Sequence, residues 1–177
     1  MSPGRPQACW GRCARRMSDL EPEASWEAVR QALREAAFRL LARREHSQRE
    51  LMLKLQRLFP TQDPEEIRAV LEGLAEDGYQ SDARRQASLV RQAEVRGQGP
   101  SRLAAKLREA GLPPPDETEG EESVFARLQA LQAQRFSGPP EDARGWQKQA
   151  RFFAYRGFPP SLIRRLLGDL PWPKESR

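Results

Sequence analysis

The 177 residues are 38% apolar and 31% charged, with only 7 Phe, 4 Trp and 2 Tyr, against about 45–50% apolar in an average globular chain. The core must be thin, and no apolar stretch nears the roughly 18 residues a membrane helix needs, so a cytoplasmic chain without a membrane partner is expected. The net charge of +5 argues weakly for nucleic-acid binding, because Arg5, Arg12, Arg15 and Arg16 precede every structured-looking segment and no acid accompanies them.

Residues 1–22 lack an apolar core, so they do not read as a secretory signal and only faintly mimic a transit peptide. Met17-Ser18, directly ahead of the first acidic stretch, fits a translation start at least as well. The segment is expected to be a disordered or mis-assigned extension outside the fold. Cys9 and Cys13 both fall in it and His46 is the single histidine. Neither a disulfide framework nor a metal ligand set is expected from that inventory.

Helical spacing begins in earnest at Trp26, where Val29, Leu33, Ala36, Ala37, Leu40 and Leu41 recur among Glu and Arg, predicting an amphipathic helix to about Arg43. Ser47 with Glu50 is a capping box for a second helix carrying Leu51, Leu55 and Leu58, closed by Pro60. Asp63, Pro64 and Glu66 start a third with Ile67, Val70, Leu71 and Leu74, which Gly78 ends. Asp82 is the expected cap of a fourth helix running to Arg96. The turn Gly97-Gln98-Gly99-Pro100-Ser101 restarts a fifth through Leu103 and Leu107 to Gly111. Pro113 to Pro115 and the acids from Asp116 to Glu122 read as an exposed connector. A helix from about Glu121 with Val124, Leu128 and Leu131 breaks at Gly138-Pro139-Pro140. Another spans about Glu141 to Arg156 with Trp146, Ala150 and Phe153, and a last one starts at Pro159-Pro160. Nothing alternates with the period of a strand, so the fold is expected to be all-α.

An internal repeat underlies these elements. Ile67, Val70, Leu71, Leu74 and Ile163, Leu166, Leu167, Leu170 share one spacing; Leu107 precedes Gly111-Leu112 as Phe153 precedes Gly157-Phe158, and Leu55 stands similarly before Phe59, one residue short. The organisation expected is repeat 1 over 23–81, a shortened repeat 2 over 82–112, a Pro/acidic linker over 113–120, repeat 3 over 121–170 and a tail over 171–177. Each unit has too little apolar surface to stand alone, so tandem three-helix repeats should stack into an elongated, curved body.

Catalytic parts are scarce. His46 reads as a helix-end residue before a cap, no phosphate-binding glycine loop is present, and the acids of 116–122 are consecutive rather than paired across a cleft. No catalytic residue, cofactor or metal is expected. Arginine is the residue type in excess, and Arg84, Arg91 and Arg102 are expected to share a stripe. A face of guanidinium groups suits carboxylates or phosphates.

Arg44-Glu45-His46-Ser47, Glu50-Leu51, Lys54-Leu55, Gly78-Tyr79, Gly97-x-Gly99-Pro100, Arg102, Leu107 and Gly111-Leu112, with Arg151-Phe152-Phe153 and Arg156-Gly157-Phe158, resemble the RecX family of recombination regulators. The resemblance implies tandem three-helix repeats and a non-enzymatic protein, expected to be monomeric. Such a protein binds the RecA recombinase and its filament on single-stranded DNA, and limits filament extension, ATP hydrolysis and strand exchange. On that reading Arg43, Arg44, Arg49, Arg84, Arg91, Arg96 and Arg102 form the basic face toward RecA, with direct DNA contact possible in principle. A helix-turn-helix protein acting on DNA directly stays open as the alternative. Two departures stand out. Arg85 occupies the place of an aromatic core anchor, so the fourth helix is expected to pack weakly, and Lys106 stands where an acid is common.

Overall fold

The computed structural model describes residues 22–115 and 119–168; the expected extension as far as residue 21, Asp116 and Glu117 of the connector, Leu170 and the tail 171–177 lie outside the described residues. Among the described residues there are eight helices and no strand: α1 (Pro22–Leu41), α2 (Gln48–Leu58), α3 (Pro64–Glu76), α4 (Asp82–Val95), α5 (Pro100–Ala110), α6 (Glu121–Arg135), α7 (Ala143–Arg156) and α8 (Pro160–Leu167). The fold is all-α and built of tandem helical repeats.

Local chemistry sets most of the ends. Ser47 Oγ accepts from the Glu50 N–H (3.1 Å) while Glu50 Oε2 accepts from the Ser47 N–H (3.0 Å), which satisfies two helix-start donors reciprocally. Asp63 caps α3, with Pro64 in its first turn. The cap of α4 is Ser81, whose Oγ accepts from the Arg84 N–H, and not Asp82. Asp82 Oδ1 instead accepts from the Gln48 N–H (2.9 Å) and from Gln80 Nε2 (2.7 Å). The first free donor of α2 thus finds its acceptor in the next unit. The seventh helix begins at Ala143, two residues after its expected start at Glu141, on the cap Asp142.

Three cores follow. α1, α2 and α3 bury Leu33, Ala37, Leu51, Leu55, Ile67, Leu71 and Leu74 in an aliphatic cluster. α6, α7 and α8 enclose Val124, Leu128, Phe153, Phe158, Leu162 and Ile163, with Phe136 and Phe152 stacked edge-on around Phe153. Between them α4 and α5 share only Leu89, Leu107, Ala110 and Leu112, with Leu103 against them. This middle pair has no third helix of its own, because Pro113–Pro115 cannot donate the backbone hydrogen bonds a helix there would require.

The units are joined through their second helices. Ser47 Oγ, at the start of α2, donates to the Ala110 carbonyl at the end of α5 (2.6 Å). The Gly99 and Ser101 N–H groups, at the start of α5, donate to the Arg156 and Gly157 carbonyls at the end of α7 (2.8 and 3.1 Å). Helix-end carbonyls that lack partners within their own helix therefore meet helix-start donors that lack acceptors, with dipoles in the favourable order. At 1.5 Å per residue, α7, α5 and α2 make a spine of about 50 Å along its contour.

Glycine is required where this spine is spliced. Gly157 ends α7 with φ +88°, and a Cβ on it would come within 2.6 Å of the Arg102 nitrogen; a Cβ on Gly99 would land on the Gly157 carbonyl. Gly111 ends α5 in the same left-handed conformation, with Arg49 filling the place of its missing Cβ. The end of α2 closes on Phe59 with negative φ instead. Among the described residues no further unit docks there, so neither the conformation nor the close approach is needed.

Candidate functional site

Five arginines meet at the two seams of the middle unit, Arg44, Arg84 and Arg85 at one and Arg102 and Arg156 at the other. At the first seam Arg85, only 5% exposed, points two guanidinium nitrogens at Glu50 (Nε to Oε2 2.8 Å, Nη2 to Oε1 3.0 Å), and Arg44 reaches the same carboxylate at 3.1 Å. Burial pushes the Glu50 carboxyl up, but the hydrogen bonds from Arg85, the Ser47 N–H and Arg44 outweigh it and bring its pKa to about 2. Arg84 adds a pair to Glu45 (3.0 Å) and a bond to the Tyr79 carbonyl, and Gln80 Nε2 donates to the His46 carbonyl. His46 is buried with its Nδ1 3.0 Å from the Arg44 carbonyl, which makes Nδ1 the protonated nitrogen. Burial, followed by the Arg44 charge, lowers its pKa, so it is neutral at pH 7 and sits as a wedge under the α2 cap.

At the second seam Arg102 donates to the Tyr155 carbonyl (2.9 Å) with its guanidinium carbon 4.7 Å from the Tyr155 ring centroid. Arg156 donates across the seam to the Arg96 carbonyl and lies over Phe152.

Of the seven arginines singled out from sequence, Arg44 and Arg84 belong to the first seam and Arg102 to the second. Arg49 covers Gly111, while Arg43, Arg91 and Arg96 are exposed. Arg84 and Arg102 sit at opposite ends of the middle unit, and each is drawn to a local acceptor. Arg85 was expected to leave α4 loosely packed. It is buried and ion-paired, replacing aromatic contact by a two-pronged carboxylate bond. Sequence reasoning missed the partnership with Glu50. Its signal was present: Arg85, Leu89 and Ala93 recur every fourth residue, which places the arginine on the buried face of α4.

The two-helix middle unit leaves a cleft on either side. One, of about 610 Å³, is lined by Val90, Leu103, Ala104, Leu107, Pro114 and Pro115, where a third helix would lie. The other, of about 250 Å³, is charged, and Glu50, Arg85, Gln92, Arg96, Lys106 and Glu109 line it. Lys106, absent from the expected basic face, donates to Gln98 Oε1 (2.6 Å). Burial first, then Arg96, Arg102 and Arg85, lower its pKa, against a smaller opposing effect of Glu109.

The comparisons with known proteins agree with this architecture. A family model for the third three-helix domain of RecX matches residues 121–167, the α6–α8 unit. The regulatory protein RecX of Halorhodospira halophila is 42% identical over 142 residues, covering 77% of this chain and 87% of that one. Its counterpart in Pseudomonas entomophila is 42% identical over 142 residues, covering 77% and 90%. That of Acidithiobacillus ferrooxidans is 41% identical over 135 residues, covering 75% and 86%. With about two-fifths identity over three quarters of its length, this chain belongs to the RecX family of regulatory proteins.

Proposed function

We propose that the chain is a non-enzymatic modulator of the RecA recombinase. It binds RecA and RecA filaments on single-stranded DNA, as a monomer in the cytoplasm, and limits filament extension, ATP hydrolysis and strand exchange, so tuning DNA repair and recombination. The observation that carries this reading is its membership of a family of regulators, and the geometry supports it. A spine of about 50 Å exceeds the roughly 30 Å diameter of a small domain, so one chain touches more than one protomer of a polymer, and modest contacts multiply. We read 23–81, 82–112 and 121–170 as the repeats, 113–120 as their linker, and Arg43, Arg49, Arg91, Arg96 and Arg102 as the members of the basic face free of ion pairs among the described residues, Arg44 and Arg84 being paired. Inhibition then follows from population shift: a rod bridging protomers in one geometry opposes the change that hydrolysis or extension requires.

The test is the DNA-dependent ATPase of the RecA from the same organism with sub-stoichiometric amounts of the full chain. Suppressed hydrolysis and shortened filaments are expected; unchanged hydrolysis with unchanged filament length overturns the reading. Direct DNA regulation, the second reading, predicts naked DNA bound as well as the filament, with a log–log salt slope near −5 for about six phosphate contacts.

A further inference from the structure

We propose that the charged cleft between α2, α4 and α5 is a phosphate site, and that the phosphate it takes belongs to the backbone of single-stranded nucleic acid. Three cationic side chains on two helices converge there, Arg85 and Arg96 from α4 and its C-cap and Lys106 from α5. Their counter-charges are unevenly shared. Glu50 is engaged by both Arg85 and Arg44, which leaves it little to offer any other cation. Arg96 and Lys106 have no ion pair among the described residues, and Lys106 is held by the uncharged Gln98 amide. The cleft's remaining acid, Glu109, is exposed.

A half-buried lysine crowded by arginines is an unfavourable arrangement in the free protein, and burial first, then the neighbouring arginines, lower the affinity of Lys106 for its proton. An anion seated among Arg96, Lys106 and Arg85 relieves it. The cleft's volume of about 250 Å³ leaves room for a phosphate group with several waters at roughly 30 Å³ each. Gln92 supplies a neutral hydrogen-bonding group on the same wall. A phosphodiester fits better than a carboxylate. Three cations from two helices suit an oxyanion with several oxygens, whereas a carboxylate offers one planar fork, which Arg85 already finds in Glu50. Only the choice of nucleic acid as the source rests on the filament reading; the cation cluster does not.

The experiment uses the full chain and a fluorescent oligothymidylate, with binding measured across a salt series and, in a second arm, in competition with inorganic phosphate. Lys106→Gln and Arg96→Gln should each weaken oligomer binding about 3- to 10-fold near 0.1 M salt and flatten the log–log salt slope by ~0.7, the value for one single-strand phosphate contact. Arg57→Gln, an exposed arginine in the last turn of α2, gives the effect of removing a charge elsewhere. Lys106→Arg should restore binding, which separates charge from folding, and circular dichroism melts verify that each variant is folded. Losses at Lys106 and Arg96 no larger than at Arg57 overturn the site. Phosphate binding that depends on Lys106, with oligomer binding indifferent to it, overturns nucleic acid as the source and puts a free anion there. The ATPase assay is independent. Lost ATPase inhibition with intact Lys106-dependent oligomer binding defeats the filament reading alone, and the converse defeats only the site.

Discussion

The two seams of the middle unit do the same job with different chemistry. The first is carried by side chains, with Arg85, Arg44 and Glu50 at its centre and Arg84–Glu45, Asp82–Gln48 and Gln80–His46 around them. The second has backbone at its centre, with Gly99 and Ser101 donating to the Arg156 and Gly157 carbonyls, and the side chains around it, Arg102 and Arg156, donate to carbonyls and not to acids. Side-chain seams respond to charge, while backbone seams respond to volume. One rod therefore has a joint that protons can loosen and another whose centre answers to volume.

Volume gives the largest expected effect. Gly157→Ala adds a methyl at a left-handed residue, costing about 1–2 kcal/mol in conformation, and drives it into the Arg102 backbone, costing about 1–3 kcal/mol more. A loss of about 4 kcal/mol is expected, with urea unfolding split into two transitions as the α6–α8 unit uncouples. A single transition with the midpoint of the unaltered chain would show that the second seam has slack.

Charge comes next. Glu50→Gln leaves the guanidinium of Arg85 buried without its counter-ion and should cost about 3 kcal/mol. The same seam should weaken in acid. The Glu50 pKa is about 2 when folded and near its ordinary value of 4.5 when unfolded, so its contribution is fully present above pH 4.5 and is lost as pH falls toward 2. About 2 kcal/mol should be gone by pH 3. Denaturation midpoints from pH 6 to pH 2.5 check this. The Glu50→Gln chain should show a shallower decline, and equal declines would place the acid sensitivity elsewhere.

How much of this was legible beforehand follows from the range of each interaction. The α2 capping box, the Asp63-Pro64 start and the glycine ends at 111 and 157 are local, decided within a turn or two of sequence, and they could be read directly. The shared spacing around Leu107, Phe153 and Leu55 pointed to the repeat for the same reason. Gly99 read only as part of a turn, because what it must avoid, the Gly157 carbonyl, lies 58 positions away. Asp82 looked like a cap since capping is the commonest local use of an aspartate there, but the unsatisfied Gln48 N–H claimed it across the seam. Glu50 concealed its second role behind its first. A residue with a sufficient local explanation gives no hint that one of its oxygens also serves a distant arginine.

The smallest effect sharpens the comparison most. Arg85→Phe removes the buried guanidinium and sets a large apolar ring against Leu89 and the α2 side of the cleft, while Glu50 keeps Arg44 and the Ser47 N–H. Replacing a buried ion pair by a well-packed apolar group is often close to neutral, because the desolvation cost disappears along with the attraction. A stability change within about 1 kcal/mol is expected at pH 7, with a flatter acid profile than the unaltered chain, since both Arg85 hydrogen bonds that depress the Glu50 pKa are gone. The outcome decides what the first seam requires. Near-neutrality means that it needs a filled volume at position 85 and that charge is one way to fill it. A loss approaching that of Glu50→Gln means that the two-pronged bond itself holds the first two units together, and the contrast with the backbone seam is then one of strength as well as of chemistry.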